Sequence, residues 1–283
     1  MDWGTTNLRA WRMKGAAPQE EATSDKGMGT LKPEGFAPAL DALVGAWGGL
    51  PVLACGMVGA RQGWVEAPYA PVPGPPLGAP PTRAPGPRDI RILPGLSQSD
   101  PPDVMRGEET KVAGLLRLRE NFDGVVLMPG THPKWVAVSA GEVTGFRTAL
   151  TGEAFAALSA HTVLRHSVGA DDDWDDAAFL AGVSESLARP EQLLSRLFSL
   201  RAAALLRGTG PAETRARLSG LLVGLDLAGA KGWWLGRPVA LVGQGAPARA
   251  AAAALRAQGA QVEEMDATEA TLAGLVAAWE RWA

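Results

Sequence analysis

Two Gly-Thr dipeptides stand at turns between candidate strands: Gly4-Thr5 near the N-terminus and Gly130-Thr131 in the middle of the chain. Glycine has no Cβ, so the backbone at such a turn can approach a ligand closely. A concave row of backbone N–H groups binds phosphate without charged side chains, and threonine hydroxyls can add donors. Two turns of this kind facing each other predict a site where two sets of N–H groups surround one phosphate-bearing ligand.

Hydrophobic periodicity predicts the elements that carry these turns. Alternating residues predict a strand over 8–13, helical spacing predicts a helix over 33–47, and a short apolar run predicts a buried strand over 51–55. The many prolines and glycines of residues 68–88 predict a surface loop. Further strands are predicted over 89–93, 125–128, 135–139, 142–150, 238–242 and 260–264. Further helices are predicted over 108–119, 151–160, 175–187, 190–207, 211–228, 246–258 and 267–282.

The order of these elements indicates a low-similarity internal repeat. From Val125 onward, three strands and a helix are followed by a helical insertion and then by strand, helix, strand and helix. The N-terminal part shows a weaker version of the same order, and each copy opens with a Gly-Thr turn. We therefore expect an α/β fold built from duplicated βββαβαβα units with a helical insertion.

Composition excludes several classes of function. The chain has 283 residues, of which 46% are hydrophobic and 20% charged, as is typical of a globular protein. A net charge of −3 lacks the basic surplus that nucleic-acid binding needs. The sequence has no apolar run long enough for a transmembrane helix, and residues 1–20 carry charges throughout, unlike a signal peptide. The single cysteine, Cys55, excludes an internal disulfide. We expect a cytoplasmic protein with neither nucleic acid nor a membrane as partner.

The motif Asp2-x-Gly4-Thr5-Thr6-x-x-Arg9 resembles the first phosphate motif of sugar kinases with the actin/hexokinase-like ATPase fold. More narrowly, the chain resembles the 2-dehydro-3-deoxygalactonokinase family. The matching blocks are Asp2–Trp11, Cys55–Tyr69, Arg91–Gln98, Asp103–Gly114, Pro129–Trp135 and Thr151–Phe155. The resemblance implies a two-lobed, actin-like (ribonuclease H-like) ATPase fold. Pro133 departs from the serine expected in the second phosphate block, and it removes one N–H group near the phosphates.

The resemblance implies that ATP and Mg²⁺ are bound by the two turns and their neighbours. The residues expected at the phosphates are Gly4, Thr5, Thr6, Arg9, Gly130, Thr131 and Lys134, although Lys134 is read equally well as an outward strand residue. Asp2 is expected to hold Mg²⁺ through water, because Mg²⁺ takes few carboxylates and keeps much of its hydration. Gly243, between a strand and a helix, is expected at the adenosine; a plain strand-to-helix turn is the alternative reading of that segment.

Glu108 and Glu109 are the candidate general bases. In sugar kinases of the glycerol-kinase type, a Gly-Asp pair at a helix start supplies the base shortly before the second phosphate turn. Gly107-Glu108-Glu109 occupies the corresponding place before Gly130-Thr131. The resemblance thus implies Glu108 as the residue that accepts the proton of the attacked hydroxyl, with Glu109 second. The alternative is that both acids only stabilise the N-terminus of the helix. Asp103 and Arg106 flank the pair and could support it.

The substrate that the resemblance implies is a six-carbon 2-keto-3-deoxy sugar acid. Its carboxylate favours a bidentate arginine, for which Arg61 is the candidate. Gln62 and Trp64 could contact hydroxyls and an apolar edge, and Asn7 is expected nearby. A surface ion pair is the alternative role for Arg61.

The expected function is therefore the ATP-dependent phosphorylation of the 6-hydroxyl of 2-dehydro-3-deoxy-D-galactonate, in galactonate catabolism. Residues 1–100 are expected to form one lobe, with the first turn and the substrate residues. Residues 101–283 are expected to form the other, with the base, the second turn and the adenosine site, and with the terminal helix packing back on the first lobe. A kinase of another sugar or sugar acid and a non-catalytic actin-like nucleotide-binding protein are the alternatives. The sequence is compatible with a homodimer and does not determine the oligomeric state.

Overall fold

The computed structural model describes residues 1–169 and 174–282, which form a mixed α/β structure. The strands are β1 (Asp2–Trp3), β2 (Leu8–Lys14), β3 (Ala17–Ser24), β4 (Val52–Ala54), β5 (Ala70–Pro71), β6 (Thr82–Arg83), β7 (Ile90–Ile92), β8 (Leu96–Ser99), β9 (Pro102–Met105), β10 (Gly124–Met128), β11 (Lys134–Ser139), β12 (Glu142–Thr148), β13 (Val239–Gly243) and β14 (Val262–Asp266). The α-helices are α1 (Phe36–Val44), α2 (Glu108–Leu118), α3 (Thr151–His161), α4 (Asp176–Ala188), α5 (Leu193–Arg207), α6 (Pro211–Gly229), α7 (Lys231–Trp234), α8 (Gly245–Ala257) and α9 (Ala267–Trp282).

Within the described residues, the strands form four sheets. Strands β1, β2 and β3 are antiparallel neighbours in that order, and a five-stranded sheet has the order β12-β11-β10-β13-β14. Two small sheets have the orders β4-β7-β6 and β5-β8-β9. Strands β10 and β13 are parallel, with Val125 opposite Val239. Every residue of β10 is buried, as is typical of a parallel strand covered on both faces.

Contacts between Cα atoms divide the chain into two compact units. The first contains Met1–Asp123, Val138–Phe146 and the described residues from Met265 onward. A core of this unit contains the buried rings of Trp3 and Phe36, whose centroids are 5.4 Å apart in an edge-on arrangement. The second contains Gly124–Ala137 and the described residues of Arg147–Glu264, with a core around strands β10 and β13 and helices α4, α6 and α8. The expected lobe boundary near residue 100 stays a prediction.

Helices α2 and α9 pack closely within the first unit because each presents a glycine at the crossing. A Cβ at Gly114 would stand 1.8 Å from the carbonyl oxygen of Ala270, and a Cβ at Gly274 would stand 1.9 Å from that of Thr110. No other residue fits at these two places without displacing a backbone. The crossing therefore sets the position of the N-terminal turn of α2, which carries Glu108 and Glu109.

Most predicted helices and strands agree with the structure within a few residues, but six strands were missed. Strand β3 consists mostly of exposed polar residues, so its side chains carry no apolar alternation; it is held by backbone pairing with β2. Strands β1, β8 and β9 have two to four residues each, too few for a periodic signal. The predicted loop 68–88 contains two strands of two residues, β5 and β6. The repetition of whole βββαβαβα units stays a prediction.

Two further observations concern membrane-spanning helices and the start of α4. No helix in the described part of the chain is long and apolar enough to cross a membrane. The five acids of the run between residues 171 and 176 predict a solvated helix start, and Asp175 does cap α4 by accepting the N–H group of Ala178 at 2.9 Å. Asp171–Asp173 of the same run lie outside the described residues.

Candidate functional site

The first Gly-Thr turn joins β1 to β2 and presents its N–H groups outward. The carbonyl oxygens of Gly4 and Thr5 each accept an N–H group of the 28–29 segment at 2.9 Å, and Gly4 itself donates to the carbonyl of Asn7. Thr5, Thr6 and Asn7 are exposed. Among residues 1–169 and 174–282, no carbonyl accepts the N–H groups of these three residues. The turn is thus held through its carbonyls and the N–H group of Gly4, and the described residues leave the N–H groups of Thr5, Thr6 and Asn7 available to an anion.

The second Gly-Thr turn has the same property. The carbonyl oxygen of Thr131 accepts the N–H group of Glu153 at 3.0 Å, which places the N-terminal turn of α3 against it. The His132 ring and the Glu153 carboxylate lie 2.6 Å apart and tie the same two segments together. In the part of the chain that the structure describes, the N–H groups of Gly130, Thr131 and His132 have no carbonyl partner. A helix N-terminus beside free N–H groups favours an anion.

Asp2 is a partly buried carboxylate at the start of β1. Its Oδ2 accepts Nη2 of Arg9 at 3.0 Å, and Arg9 donates through Nη1 to the hydroxyl of Thr268, also at 3.0 Å. Arg9 therefore links β2 to the start of α9. The other Asp2 oxygen, Oδ1, faces Gly56, where a Cβ would stand only 3.3 Å away.

Gly56 also brings Asp2 close to the N-terminal turn of α2. Both Gly56 and Gly107 have positive φ, +96° and +99°, and a Cβ at Gly107 would stand 3.1 Å from the Cα of Gly56. The two glycine backbones are therefore in direct contact between Asp2 and Glu108. The sequence showed both glycines, but only the structure shows that Gly56, beside Asp2, contacts Gly107, which precedes Glu108.

The two candidate bases have different surroundings. Glu109 is fully buried; its Oε2 accepts the N–H group of Gly107 at 2.6 Å and its Oε1 accepts the Thr110 hydroxyl at 3.0 Å. Burial, and next the Glu108 carboxylate, raise the pKa of Glu109 to about 7. Glu108 is only half-buried, and its Oε2 accepts the N–H group of Arg106 at 3.0 Å. No described residue donates to the other oxygen of Glu108, Oε1.

Lys111 is a cation that the sequence analysis did not single out. Burial lowers its pKa, but the nearby Glu108, Asp2, Cys55 and Glu109 together outweigh burial and leave the pKa of Lys111 above its usual value. The ammonium group therefore stays charged beside Glu108 and Asp2. The available signal was the spacing, since residues i and i+3 share one face of a helix.

The residues expected at the sugar acid lie on one loop and on the first turn. Arg61 is 81% exposed and its Nε lies 3.5 Å from Oε1 of Glu66, a loose surface pair. Gln62 and Asn7 are exposed as well. Trp64 is half-buried and its ring stacks on Phe36 with centroids 5.9 Å apart, so this ring also packs in the core. Their contacts with substrate stay a prediction.

The second unit contains a cavity of about 240 Å³ beside the second turn. It is lined by Gly130, Pro133, Thr151 and Gly152 at one side, by Ala246, Pro247 and Ala250 at the start of α8, and by apolar side chains that include Phe155 and Trp174. Gly243 is the last residue of β13, two positions before α8 begins. A Cβ at Gly243 would stand 3.1 Å from the Cβ of Ala248 in α8. The cavity is therefore bounded by the second Gly-Thr turn and by the start of α8.

Asp226 is the acidic residue of this cavity. It accepts the Trp135 indole N–H at 2.9 Å and the Thr151 hydroxyl at 3.0 Å. Burial raises the pKa of Asp226, although both hydrogen bonds act in the opposite direction. Lys134 is buried, with 6% exposure, which does not fit the reading of an outward strand residue. Trp135 lines the cavity, so Lys134, the preceding residue of β11, points to the opposite face of the strand.

No group of three or more metal-binding side chains occurs among the described residues. Mg²⁺ in proteins is bound through one or two carboxylates together with water and substrate phosphates. The free oxygen of Asp2 is a fitting ligand of that kind.

Comparisons with known proteins agree on one family. The model of the 2-keto-3-deoxy-galactonokinase family matches residues 2–278. The Rhizobium meliloti protein named "Probable 2-dehydro-3-deoxygalactonokinase DgoK1" is 44% identical over 98% of this chain and 95% of its own length. The 2-dehydro-3-deoxygalactonokinase of Escherichia coli is 37% identical over 81% of this chain and 78% of its own length.

Solved structures give the same result at the level of the fold. A Sinorhizobium meliloti crystal structure assigned to a 2-dehydro-3-deoxygalactonokinase superposes with a TM-score of 0.93 at 43% identity, covering 99% of this chain and 97% of the other. Component A of the (R)-2-hydroxyglutaryl-CoA dehydratase of Acidaminococcus fermentans superposes with a TM-score of 0.53 at 15% identity, covering 99% and 96% of the two chains. The second likeness shows a shared fold alone.

Proposed function

Because the chain belongs to the 2-keto-3-deoxy-galactonokinase family, and so phosphorylates 2-dehydro-3-deoxygalactonate with ATP, we propose that the 6-hydroxyl is the acceptor and that Glu108 is its general base. The observation that carries the assignment of the base is the contrast between the two adjacent acids. Among the described residues, no group donates to Oε1 of the half-exposed Glu108, whereas both oxygens of the buried Glu109 accept hydrogen bonds.

In the proposed reaction, the 6-hydroxyl oxygen forms a bond to the γ-phosphorus of ATP while the bond to the β,γ-bridging oxygen breaks. The hydroxyl proton passes to Glu108, and ADP leaves with the bridging oxygen. Such transfers depend mainly on positioning and charge neutralisation, and proton removal comes late. Lys111 and Arg9 supply positive charge beside Glu108 and Asp2 in the first unit.

The phosphates are proposed to bind at the N–H groups of the two Gly-Thr turns, with the residues Gly4, Thr5, Thr6, Gly130 and Thr131. The N–H group of Gly4 already donates to Asn7, but among the described residues no carbonyl accepts the N–H groups of Thr5, Thr6, Gly130 and Thr131, which supports this role. The nucleoside is proposed to occupy the cavity of the second unit, next to Gly243, because the cavity is lined by apolar side chains and by the start of α8. Arg9 and Lys134 remain proposed phosphate contacts.

Mg²⁺ is proposed to bind at Asp2. When bound, this ion neutralises phosphate charge and orients the γ-phosphoryl group. The fit rests on Oδ1 of Asp2, since Oδ2 is already held by Arg9. Arg9 thereby keeps the carboxylate in one orientation.

The carboxylate of the sugar acid is proposed to bind Arg61, and its hydroxyls Gln62 and Asn7, with Trp64 at an apolar edge. Within the described residues, Arg61 forms a loose pair with Glu66 and its side chain is 81% exposed, so its guanidinium is available to a ligand. We also propose that the fold is that of a two-lobed actin-like ATPase with duplicated units. We propose further that the protein is cytoplasmic and forms a homodimer. Light scattering of the purified protein tests for the homodimer.

ADP release measured against a panel of sugar acids and neutral sugars tests the proposed acceptor. We expect turnover with 2-dehydro-3-deoxy-D-galactonate and almost none with glucose. Phosphorus NMR of the product distinguishes the 6-phosphate from other positions. Equal turnover of neutral sugars would exclude the proposed role of Arg61.

A further inference from the structure

Arg106 is a buried cation that connects the substrate loop to the rest of the first unit; by substrate loop we mean residues 59–69. Its side chain is only 7% exposed. Nη2 donates to the carbonyl oxygen of Ala67 at 2.7 Å, and the guanidinium carbon lies 4.3 Å from the centroid of the Tyr69 ring. A Cβ at Gly59 would stand 2.9 Å from Nη1, so the guanidinium packs directly on that backbone.

These contacts fall at the two ends of the loop, which meet each other. The N–H group of Ala67 donates to the carbonyl of Gly59 at 3.0 Å. The guanidinium therefore packs against the closed base of the loop, from which Arg61, Gln62 and Trp64 extend. A planar, stacked and hydrogen-bonded group of this kind holds a loop in one orientation.

The backbone of the same residue is bound to the proposed base. The N–H group of Arg106 donates to Oε2 of Glu108 at 3.0 Å. One residue thus contacts the substrate loop with its side chain and the base with its main chain.

Stability does not account for an arginine here. Nε and Nη1 are buried, and no described residue accepts either of them. No carboxylate forms a salt bridge with Arg106 in the described part of the chain. Burying donors and a charge without such partners is costly, and apolar replacements of similar volume are often neutral or stabilising.

We propose that Arg106 is a positioning residue that sets the substrate loop relative to the Glu108 carboxylate, and so presents the acceptor hydroxyl to the base. This inference rests on the proposed function, in which the loop binds the sugar acid and Glu108 is the base. It gives Arg106 no contact with substrate. A displacement of about 1 Å between reacting groups can cost on the order of 100-fold in rate.

Arg106→Met is the main test, with kinetics and thermal unfolding measured on the same preparation. We expect kcat to fall about 10–100-fold and the KM for the sugar acid to rise, with the KM for ATP unchanged. We also expect more than one ADP per sugar acid phosphorylated, because a misplaced hydroxyl lets water compete. The melting temperature should stay equal or rise. A merely structural role would instead lower the melting temperature and leave the kinetic parameters unchanged.

Arg88→Met is the matched control in the same unit. Arg88 is also largely buried and is bound to Asp41 and to the carbonyl of Gly48, far in sequence from the loop. We expect a lower melting temperature and unchanged kinetics. Arg106→Lys keeps the charge and a hydrogen-bonding nitrogen but loses the planar guanidinium, and it should recover part of the kcat that Arg106→Met loses.

A double mutant separates this inference from the proposed function. If Arg106 acts through Glu108, the effect of Arg106→Met on kcat should largely disappear in a Glu108→Gln background. A full additional loss there would overturn the inference and leave Glu108 as the base. A normal rate for Glu108→Gln alone would refute the base and not the loop contact. If Arg106→Met does not fold, Tyr69→Leu decides: a severalfold lower kcat supports the inference, and an unchanged kcat and sugar-acid KM refute it.

Discussion

Glu108 and Glu109 are neighbours in the chain, yet one carboxylate is accessible and the other is enclosed. If the accessible one is the base, Glu108→Gln should lower kcat by about 10²–10⁴-fold, the usual effect of losing general-base catalysis. The KM for ATP should change little, because Glu108 is not on a Gly-Thr turn. Steady-state kinetics of both single mutants test this. A large loss of kcat in Glu109→Gln and a small one in Glu108→Gln would assign the base to Glu109.

Glu109 should instead make stability depend on pH. Its pKa is about 7 in the folded protein against 4.5 for an ordinary glutamate, so the folded state binds the extra proton between these values. The free energy of unfolding should therefore fall as pH rises from about 4.5 to 7, by on the order of 3 kcal/mol. Glu109→Gln should remove this slope and be more stable than wild type at pH 8. Urea unfolding at several pH values measures it; parallel curves for the two proteins would contradict the expectation.

Arg61 lies on the surface and forms a loose pair with Glu66, so its replacement should weaken substrate binding and leave the stability of the protein unchanged. Arg61→Lys keeps the charge but loses the two-pronged geometry. We expect the KM for the sugar acid to rise, with the KM for ATP and the melting temperature unchanged. Glu66→Gln, which removes only the partner in the surface pair, is the control. An unchanged KM in Arg61→Lys would place the carboxylate of the substrate elsewhere.

At the scale of elements, the crossing of α2 and α9 supports the position of the base. Gly274→Ala would place a Cβ 1.9 Å from the carbonyl oxygen of Thr110, so the helices must separate. We expect a loss of about 1–3 kcal/mol or more in the free energy of unfolding, as for other overpacked cores, and a lower kcat. Gly232→Ala on α7 is the control. A Cβ at Gly232 would have no described atom within 4 Å beyond its own helix backbone and chain neighbours, so this change should affect stability little. Equal stability of the two variants would mean that α9 adjusts freely on α2.

At the scale of the whole molecule, nucleotide binding should stabilise the folded state through the cavity of the second unit. At a ligand concentration 100 times Kd the gain is about 2.7 kcal/mol. Ala250 lines the cavity, whereas Ala253 on the same helix is exposed. Ala250→Phe should therefore lose the stabilisation by a non-hydrolysable ATP analogue and raise the KM for ATP, while Ala253→Phe should behave as wild type. Thermal unfolding with and without the analogue tests this, and full stabilisation of Ala250→Phe would place the nucleoside elsewhere.

Much of the element order was predictable because periodic side chains report which face of an element is buried. Helix α2 and strands β10 and β13 agree closely with the prediction, since each contains several apolar residues at the spacing typical of its type of element. Strand β3 was not predictable, because pairing with β2 holds it and its own side chains are mostly exposed. The kinase family was identified from the motifs and is confirmed by the comparisons.

The sequence by itself determined which chemical groups the chain contains for binding and catalysis. These are two glycine turns able to expose N–H groups, a carboxylate before the first of them, and a pair of acids at a helix start. These follow from residue types and from spacing along the chain. Only the tertiary structure decided which of the two acids is accessible and that Arg106 contacts both the substrate loop and Glu108. Those facts depend on the contact of Gly56 with Gly107 and of α2 with α9, between segments far apart in sequence. No local pattern encodes such contacts, because burial and hydrogen bonding are set by the atoms that distant segments bring to the same place.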